Sequence, residues 1–294
     1  MKVAVIGCGR VGSGLALAIA NRRGAGGLRF TGAYSRARSR ARSLVRRCGC
    51  GRAFPTLLHA AASADILLIC VSDGAVAEVG RALGEAADLR RKIVLHTSGV
   101  LDLSPLRSLA RRGAAIGSLH PLAVFPPARS TSPAILFSIP VAFTVDGGSR
   151  AALAAVRIVR SLGGFTLPRP RSRAAYHLVA AMMANHVTVL MALSLDLLRR
   201  RAGIGGARAR RALATLLRTA ADRIEAIGPE TALTGPAARG DLLTLRRHLD
   251  VLTGERPILR DVYRILSAEA VRIAVRRGDL DSRTATRALR LLRR

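Results

Sequence analysis

Lysine and tryptophan are almost missing from this chain. Of its 294 residues only Lys2 and Lys92 are lysines, and there is no Trp. With six Phe and three Tyr, a stacking platform for single-stranded nucleic acid is not evident. Acidic residues are scarce as well: 18 Asp and Glu stand against 48 Lys and Arg, a formal net charge of +30. Such a charge attracts polyanions without regard to their sequence. The basic residues are spread along the chain, however, and near-total use of Arg beside abundant Ala, Gly and Leu reads as compositional bias. A specific nucleic-acid partner is therefore not expected.

Half of the residues are apolar, ample for the core of one large domain or two ordinary ones. Cys8, Cys48, Cys50 and Cys70 form no CxxC pair and have no His at ligand spacing, so no metal site is expected. A Cys48–Cys50 disulfide would be strained by its short span, and four plain thiols fit a reducing compartment. The opening "MKVAVIGCG" is too short an apolar run for a signal peptide, which points to the cytoplasm. Leu178 to Leu195 carries no formal charge but includes Asn185, His186, Thr188 and Ser194. A lipid-facing span would have to bury that Asn-His pair, so no membrane is expected and the stretch reads as a helix buried between protein layers.

Apolar runs of strand length recur early, at Val3–Ile6, Leu28–Tyr34, Ile66–Val71, Ile93–Leu95, Ala114–Leu119 and Val141–Val145. Helical stretches alternate with them, at Leu15–Arg23, Ala75–Ala87 and Leu103–Arg111. This alternation predicts an α/β fold with a parallel sheet covered on both faces. From about Arg171 the pattern changes to long helices broken at Gly203–Gly206, Gly228–Gly240 and Gly254–Pro257. The two prolines of "GGFTLPRPRS" mark the boundary, giving an α/β domain over residues 1–165 and an all-helical domain over residues 166–294.

Gly7-x-Gly9-x-x-Gly12 follows the first strand and opens a helix, the context that makes this spacing a dinucleotide fingerprint. Gly7 allows the tight turn, Gly9 lets backbone approach a pyrophosphate, and Gly12 lets the helix pack against the strand. The helix N-terminus, with Arg10 and Val11, favours the anion. The second strand ends near Tyr34, where an NAD site keeps a carboxylate for the ribose 2′-hydroxyl. Here Ser35-Arg36-Ala37-Arg38 follows instead. A carboxylate would repel a 2′-phosphate, whereas a hydroxyl and guanidinium groups hold it by charge-assisted bonds. The expected cofactor is NADP, held by Ser35, Arg36 and Arg38, with Arg40, Arg42, Arg46 and Arg47 on a solvated helix face. Val71 and Ser72, at the end of "DILLICVSD", and Ser98, in "IVLHTSG", complete the candidate cofactor contacts, and Asp73 reads as the cap of the next helix. The first domain is thus Rossmann-like.

His96 and His120 also end strands, and a His there can donate a proton as hydride reaches a carbonyl, its pKa being near neutral. His96 reads equally well as a structural imidazole; His120, in "SLHPLAVFP", is the stronger candidate. Arg173, His177, Ala181 and Asn185 are spaced four apart and share a helix face. That face either lines a cleft, with His177 as acid or positioning group and Asn185 on a substrate oxygen, or packs in a domain or dimer core. In "ALTGPAARGDLLTLRRHL", Arg239 and Asp241 flank Gly240 beside a tight turn, where they would bind substrate or pair with each other.

These motifs, "GCGRVG", "YSR", "HTSG", "LHPLAVFP", "AAYHLVAAMMANH" and "LTGPAARGDLLTLRRHL", resemble those of the bacterial Rossmann-like family whose C-terminal half is a domain of unknown function. The first half is also similar to the wider group of 6-phosphogluconate dehydrogenase, ketopantoate reductase, pyrroline-5-carboxylate reductase and deazaflavin-dependent NADP reductases. The resemblance implies an NADP-binding domain, a helical dimerisation domain that makes a homodimer, and a substrate cleft. Hydroxyacid-type members carry a catalytic Lys one turn before the helical Asn, where this chain has Ala181. A Lys-based mechanism therefore does not transfer. The expected function is an NADP-dependent oxidoreductase acting on a small, anionic carbonyl or hydroxy compound; a deazaflavin-linked NADP reductase and a non-catalytic NADP-binding regulator are the alternatives.

Overall fold

The apolar runs form eight strands: β1 (Lys2–Ile6), β2 (Arg29–Tyr34), β3 (Arg52–Ala53), β4 (Ile66–Ile69), β5 (Ile93–His96), β6 (Ala115–Leu122), β7 (Ala142–Gly147) and β8 (Phe165–Leu167). The computed structural model describes residues 1–22, 24–86, 88–127 and 137–293. Arg23, Ala87 and Arg294, the expected ends of two helices and of the helical domain, lie outside them. One sheet holds all eight strands in the order β3-β2-β1-β4-β5-β6-β7-β8. From β3 to β6 neighbours are parallel, the doubly wound order of dinucleotide-binding domains. The expectation of a parallel sheet needs one correction. β7 pairs antiparallel with β6, and β8 follows β7, a mixed edge common on large α/β sheets.

Alternate strand residues face opposite layers, and both layers are apolar. Val3, Val5, Ile66 and Leu68 pack with α1 (Arg10–Asn21), α2 (Arg38–Cys48) and α6 (Ser149–Ser161). Ala4, Ile6, Leu67 and Ile69 pack with α3 (Leu57–Ser63), α4 (Asp73–Ala86) and α5 (Arg107–Arg111). Burial on both faces is why these strands read as unbroken apolar runs. The predicted helix Leu103–Arg111 divides into a 3₁₀ turn, Ser104–Leu106, and α5. Both lysines mark the amino edge of the sheet: Lys2 opens β1, and Lys92, just before β5, donates from Nζ to the Ala64 carbonyl at 2.7 Å.

The chain forms two compact units, Met1–Asn185 and His186–Arg294. This division falls past residue 165, because β8 and α7 (Arg173–Ala181) belong with the sheet. Arg173, at the first position of α7, sends its guanidinium to Asp146 Oδ2 of β7 at 2.6 Å and to Ser118 Oγ of β6 at 3.2 Å. Both ion-pair side chains are nearly buried, 11% and 9% exposed. Asp146 Oδ1 accepts from the Gly147 N–H at 2.9 Å, and the more exposed Arg169 approaches the same oxygen at 3.4 Å.

After α7 come a π-helical turn, Met182–His186, and α8 (Val187–Ala202), together one helix of 30 residues. The expectation that Leu178–Leu195 is buried between protein layers is not met within one chain. Leu178, Val179, Met182, Met183, Val189 and Leu190 are exposed among the described residues. By length and composition this helix could cross a membrane, weak evidence that does not make the chain a membrane protein.

The second unit continues with α9 (Gly206–Ile227), α10 (Pro229–Ala232), α11 (Pro236–Arg239), α12 (Leu242–Leu252), α13 (Pro257–Arg276) and α14 (Ser282–Arg293). Its core is built mainly of small side chains from α11 to α14, among them Ala237, Ala238, Ala274, Ala285 and Ala288 around Leu245 and Val271.

Asp146→Ala leaves the Arg173 charge buried without its partner, a change that costs about 3–5 kcal/mol. Urea denaturation of this variant should show a loss on that scale. The double variant Arg173→Met/Asp146→Ala, with no charge left to desolvate, should recover most of it.

Candidate functional site

The glycine turn between β1 and α1 is shaped by backbone contact. Gly7 has φ +101°, and a Cβ there would lie 2.5 Å from the Cys70 carbonyl oxygen. A Cβ on Gly12 would lie 2.0 Å from the Gly7 carbonyl oxygen. Gly9 is different: among the described residues, none beyond its immediate chain neighbours comes within 4 Å of the place its Cβ would take. It precedes α1 without a side-chain cap, so the helix offers its first N–H groups to that open space, as an anion site requires.

Gly7, Gly9, Tyr34, Ser35, Arg36, Arg40, Val71 and Ser72 line a cavity of about 600 Å³ at the carboxyl ends of β1, β2 and β4. Arg36, Arg38 and Arg40 are all exposed, but Arg38 is not among the lining residues, whereas Arg40, on its solvated helix face, also borders the cavity. One helical step explains the difference: Arg36 precedes α2, Arg38 begins it, and Arg40, two positions on, comes round toward the strand ends. Glu78 lines the same cavity from α4 rather than from the end of β2. This shape, an open glycine turn at a helix N-terminus, fits a dinucleotide.

A second cavity, of about 320 Å³, is lined by Gly9, Arg10, Val11, Ser72, Asp73, Ser98, His120 and His177, among others. Asp73 stands in the first turn of α4, where a carboxylate complements the helix dipole. Ser98 Oγ accepts from the N–H groups of Val100 and Leu101 at 3.2 and 3.0 Å, which fixes the loop after β5. His96 is the structural imidazole: fully buried, it accepts at Nδ1 from Ser98 N–H at 3.2 Å and faces the Asp102 carbonyl with Nε2 at 3.0 Å.

His120 and His177 also border a third cavity, of about 770 Å³, with Tyr176 and Asn185. The structure thus brings His120, His177 and Asn185 to one space. Leu122, Val124, Val179 and Met183 give that space apolar walls. His120 Nδ1 lies 2.9 Å from Tyr176 Oη, and the His120 and His177 ring centroids are 6.4 Å apart. A Cβ at Gly99 would come within 2.7 Å of His120 Nε2, so a larger residue there would push that ring from its place.

The near-neutral pKa expected of His120 is corrected by its surroundings. Burial, then the neighbouring His177 and Arg173, push it down to about 4. His120 is therefore a neutral imidazole at pH 7, able to accept on one nitrogen and donate from the other, and not a cationic acid.

In the second unit Arg239 ends α11 and is exposed. Asp241 caps α12, accepting from Thr244 N–H at 3.0 Å and Thr244 Oγ1 at 2.6 Å, which holds its carboxyl below the usual range. Gly240 between them has φ +67°, and a Cβ there would strike Leu280 and Thr284. The stretch is a helix–turn–helix joint whose Asp is engaged in capping.

Sequence reading gave no role to Tyr176, although it lies in the motif "AAYHLVAAMMANH", and missed Asp146, which no motif announces; helical spacing from Arg173 and strand pairing with Ser118 place them. All four cysteines are free thiols. Burial pushes Cys8 up to about 11 and Cys48 and Cys70 up to about 12, so they stay protonated at neutral pH. Among the described residues no three His, Cys, Asp or Glu side chains gather as metal ligands would.

A histidine whose pKa is lowered by folding takes up its proton more readily when unfolded. The stability it gives is present above the unfolded value of 6.5 and is lost as pH falls through about 4. The His120 imidazole signals should titrate near pH 4 by NMR, and His120→Gln should flatten the acid side of the stability profile.

A Rossmann-like family model matches residues 1–123, and the model "Domain of unknown function (DUF2520)" matches residues 141–270. No curated protein matches the chain. Among solved structures it is similar to a candidate NADP oxidoreductase from Bacteroides fragilis, with 22% identity, TM-score 0.70, and 92% of this chain and 98% of that one covered. A protein from Thermotoga maritima has 21% identity, TM-score 0.68, and coverage of 92% and 99%. Pyrroline carboxylate reductase from Plasmodium falciparum, solved with NADP bound, has 12% identity, TM-score 0.58, and coverage of 99% and 98%. At these identities the likeness is one of fold. The two family models together span most of the chain, which carries a Rossmann-like domain followed by a DUF2520 domain.

Proposed function

We propose that the protein is an NADP-dependent oxidoreductase that passes hydride between NADP(H) and a small carbonyl or hydroxy compound. The observation that carries this reading is the sharing of His120 and His177 between two cavities. One continues the glycine turn; the other is an apolar space with Tyr176 and Asn185 at its wall. NADP(H), when bound, supplies the hydride. Gly9 and the N-terminus of α1 would hold its pyrophosphate, and Ser35, Arg36 and Arg40 its 2′-phosphate. The apolar walls of the third cavity favour a substrate with an apolar body. An anionic group on the substrate finds no guanidinium among that cavity's described lining, since Arg173 is spent on Asp146. That the reductases named above share the fold and bind or act with NADP supports the cofactor.

We also propose that the protein works as a homodimer through its helices. Of the 22 residues of α9 only Ala209 is buried, and Leu216, Leu217, Ile224 and Ile227 are exposed along it. A helix gains stability from burying one apolar face, and a second copy would supply that cover by symmetry. Sedimentation should give a dimer, and Leu217→Glu should shift it toward monomer.

Cofactor choice is tested by fluorescence titration with NADPH and NADH. Each charge-assisted bond to the 2′-phosphate is worth about 1.5–3 kcal/mol, so Arg36→Ala and Arg40→Ala should each weaken NADPH roughly tenfold or more and leave NADH unchanged. Equal binding of both cofactors by the wild type would sink the NADP assignment. NADPH binding without turnover of any carbonyl or alcohol in a broad panel would favour the non-catalytic regulator.

A further inference from the structure

The oxidoreductase reading leaves the source of the proton open, and His120 as a neutral imidazole does not supply it alone. We propose that Tyr176 is the proton donor to the substrate oxygen and that His120 positions Tyr176 and restores its proton. The proposal rests on the oxidoreductase reading and goes beyond it by naming the group that protonates the substrate.

Three observations support it. Tyr176 and His120 line the same apolar cavity, and His120 alone of the two reaches the cofactor channel. The phenol oxygen is 2.9 Å from His120 Nδ1, with the rings nearly perpendicular at 82°. When Nδ1–H is the donor, the phenol hydrogen is left for another acceptor, either the buried Thr144 hydroxyl beside it or a substrate oxygen in the cavity. Both ends of the pair are also fixed. Gly99 lets the imidazole lie against the loop after β5. Arg173, three residues before Tyr176 on α7, is anchored by Asp146.

Burial also sets the protonation states. It pushes the Tyr176 phenol up, so the proton is present throughout neutral pH. In the reduction, hydride adds to the carbonyl carbon and the C=O π pair takes the proton from Tyr176 Oη, forming the alcohol O–H. The phenolate then takes the Nδ1 proton of His120, whose Nε2 accepts one from solvent water. The imidazole thereby changes tautomer without passing through a cation or an imidazolate, and the net uptake is one proton from water. A preformed iminium substrate, already positively charged, needs no such proton.

The test combines a rate with a spectroscopic state. Tyr176→Phe should lower kcat for carbonyl reduction by about 10²-fold or more, with KM and NADPH affinity within a few-fold of the wild type. Reduction of a preformed cyclic iminium, if turned over, should be spared. Independently of turnover, ¹⁵N NMR of the protein with NADP⁺ should show His120 as the Nδ1–H tautomer, lost in Tyr176→Phe. A wild type that binds NADPH but reduces no carbonyl overturns the oxidoreductase reading and this proposal with it. A Tyr176→Phe protein with the wild-type rate, or an Nε2–H tautomer at His120, overturns the proposal alone. So does a variant whose rate falls only in step with lost NADPH binding, because Tyr176 then acts as a structural residue.

Discussion

The placement of the whole reacting end depends on one buried ion pair. Arg173 begins the long helix and Asp146 sits in β7, which with β8 runs against the other six strands. Removing two charges from water gives back little net stability, so such a pair is better understood as fixing position than as adding strength. Here it fixes where α7 starts. Tyr176 and His177 follow one helical turn later, so the register of the pair determines what faces His120. The same guanidinium, after burial and His177, helps to keep the His120 ring uncharged.

Much of the fold was legible in the residues. The central strands are buried on both faces and read as plain apolar runs, and Gly7 and Gly12 carry steric demands that only glycine meets. What stayed hidden was set by long-range contact. The two-residue β3 and three-residue β8 exist because neighbouring strands offer them open edges, and no local propensity marks them. The reversal of β7 is a matter of topology and leaves the strand's own pattern unchanged. Arg38 and Arg40 look alike in a ladder of arginines, and only the helical turn from residue 38 separates them.

The candidate site was legible in part for the same reason. Residues that end strands, such as His120, Ser72 and Ser98, can be placed at the carboxyl edge of a doubly wound sheet by pattern alone. Tyr176 cannot: it gains meaning from a ring on β6 across 56 positions of sequence. The absent Lys at Ala181 gains a physical context too. No side chain at position 181 can carry a proton, and a tyrosine–histidine contact stands at the wall of the same cavity. The "RGD" stretch shows the reverse, a distinctive sequence produced by the demands of a helix joint.

The rarity of lysine has a practical consequence. In parallel strands every residue that precedes a strand lies at one edge of the sheet, and Lys2 and Lys92 both do. Lys92 spends its ammonium on the Ala64 carbonyl beside that edge. Amine-directed chemistry, whether a dye, a biotin or a sensor surface, therefore finds both lysine side chains opposite the strand ends that carry the glycine turn. A molecule tethered through its lysines is held by one defined side, with the mouth of the dinucleotide cavity turned outward.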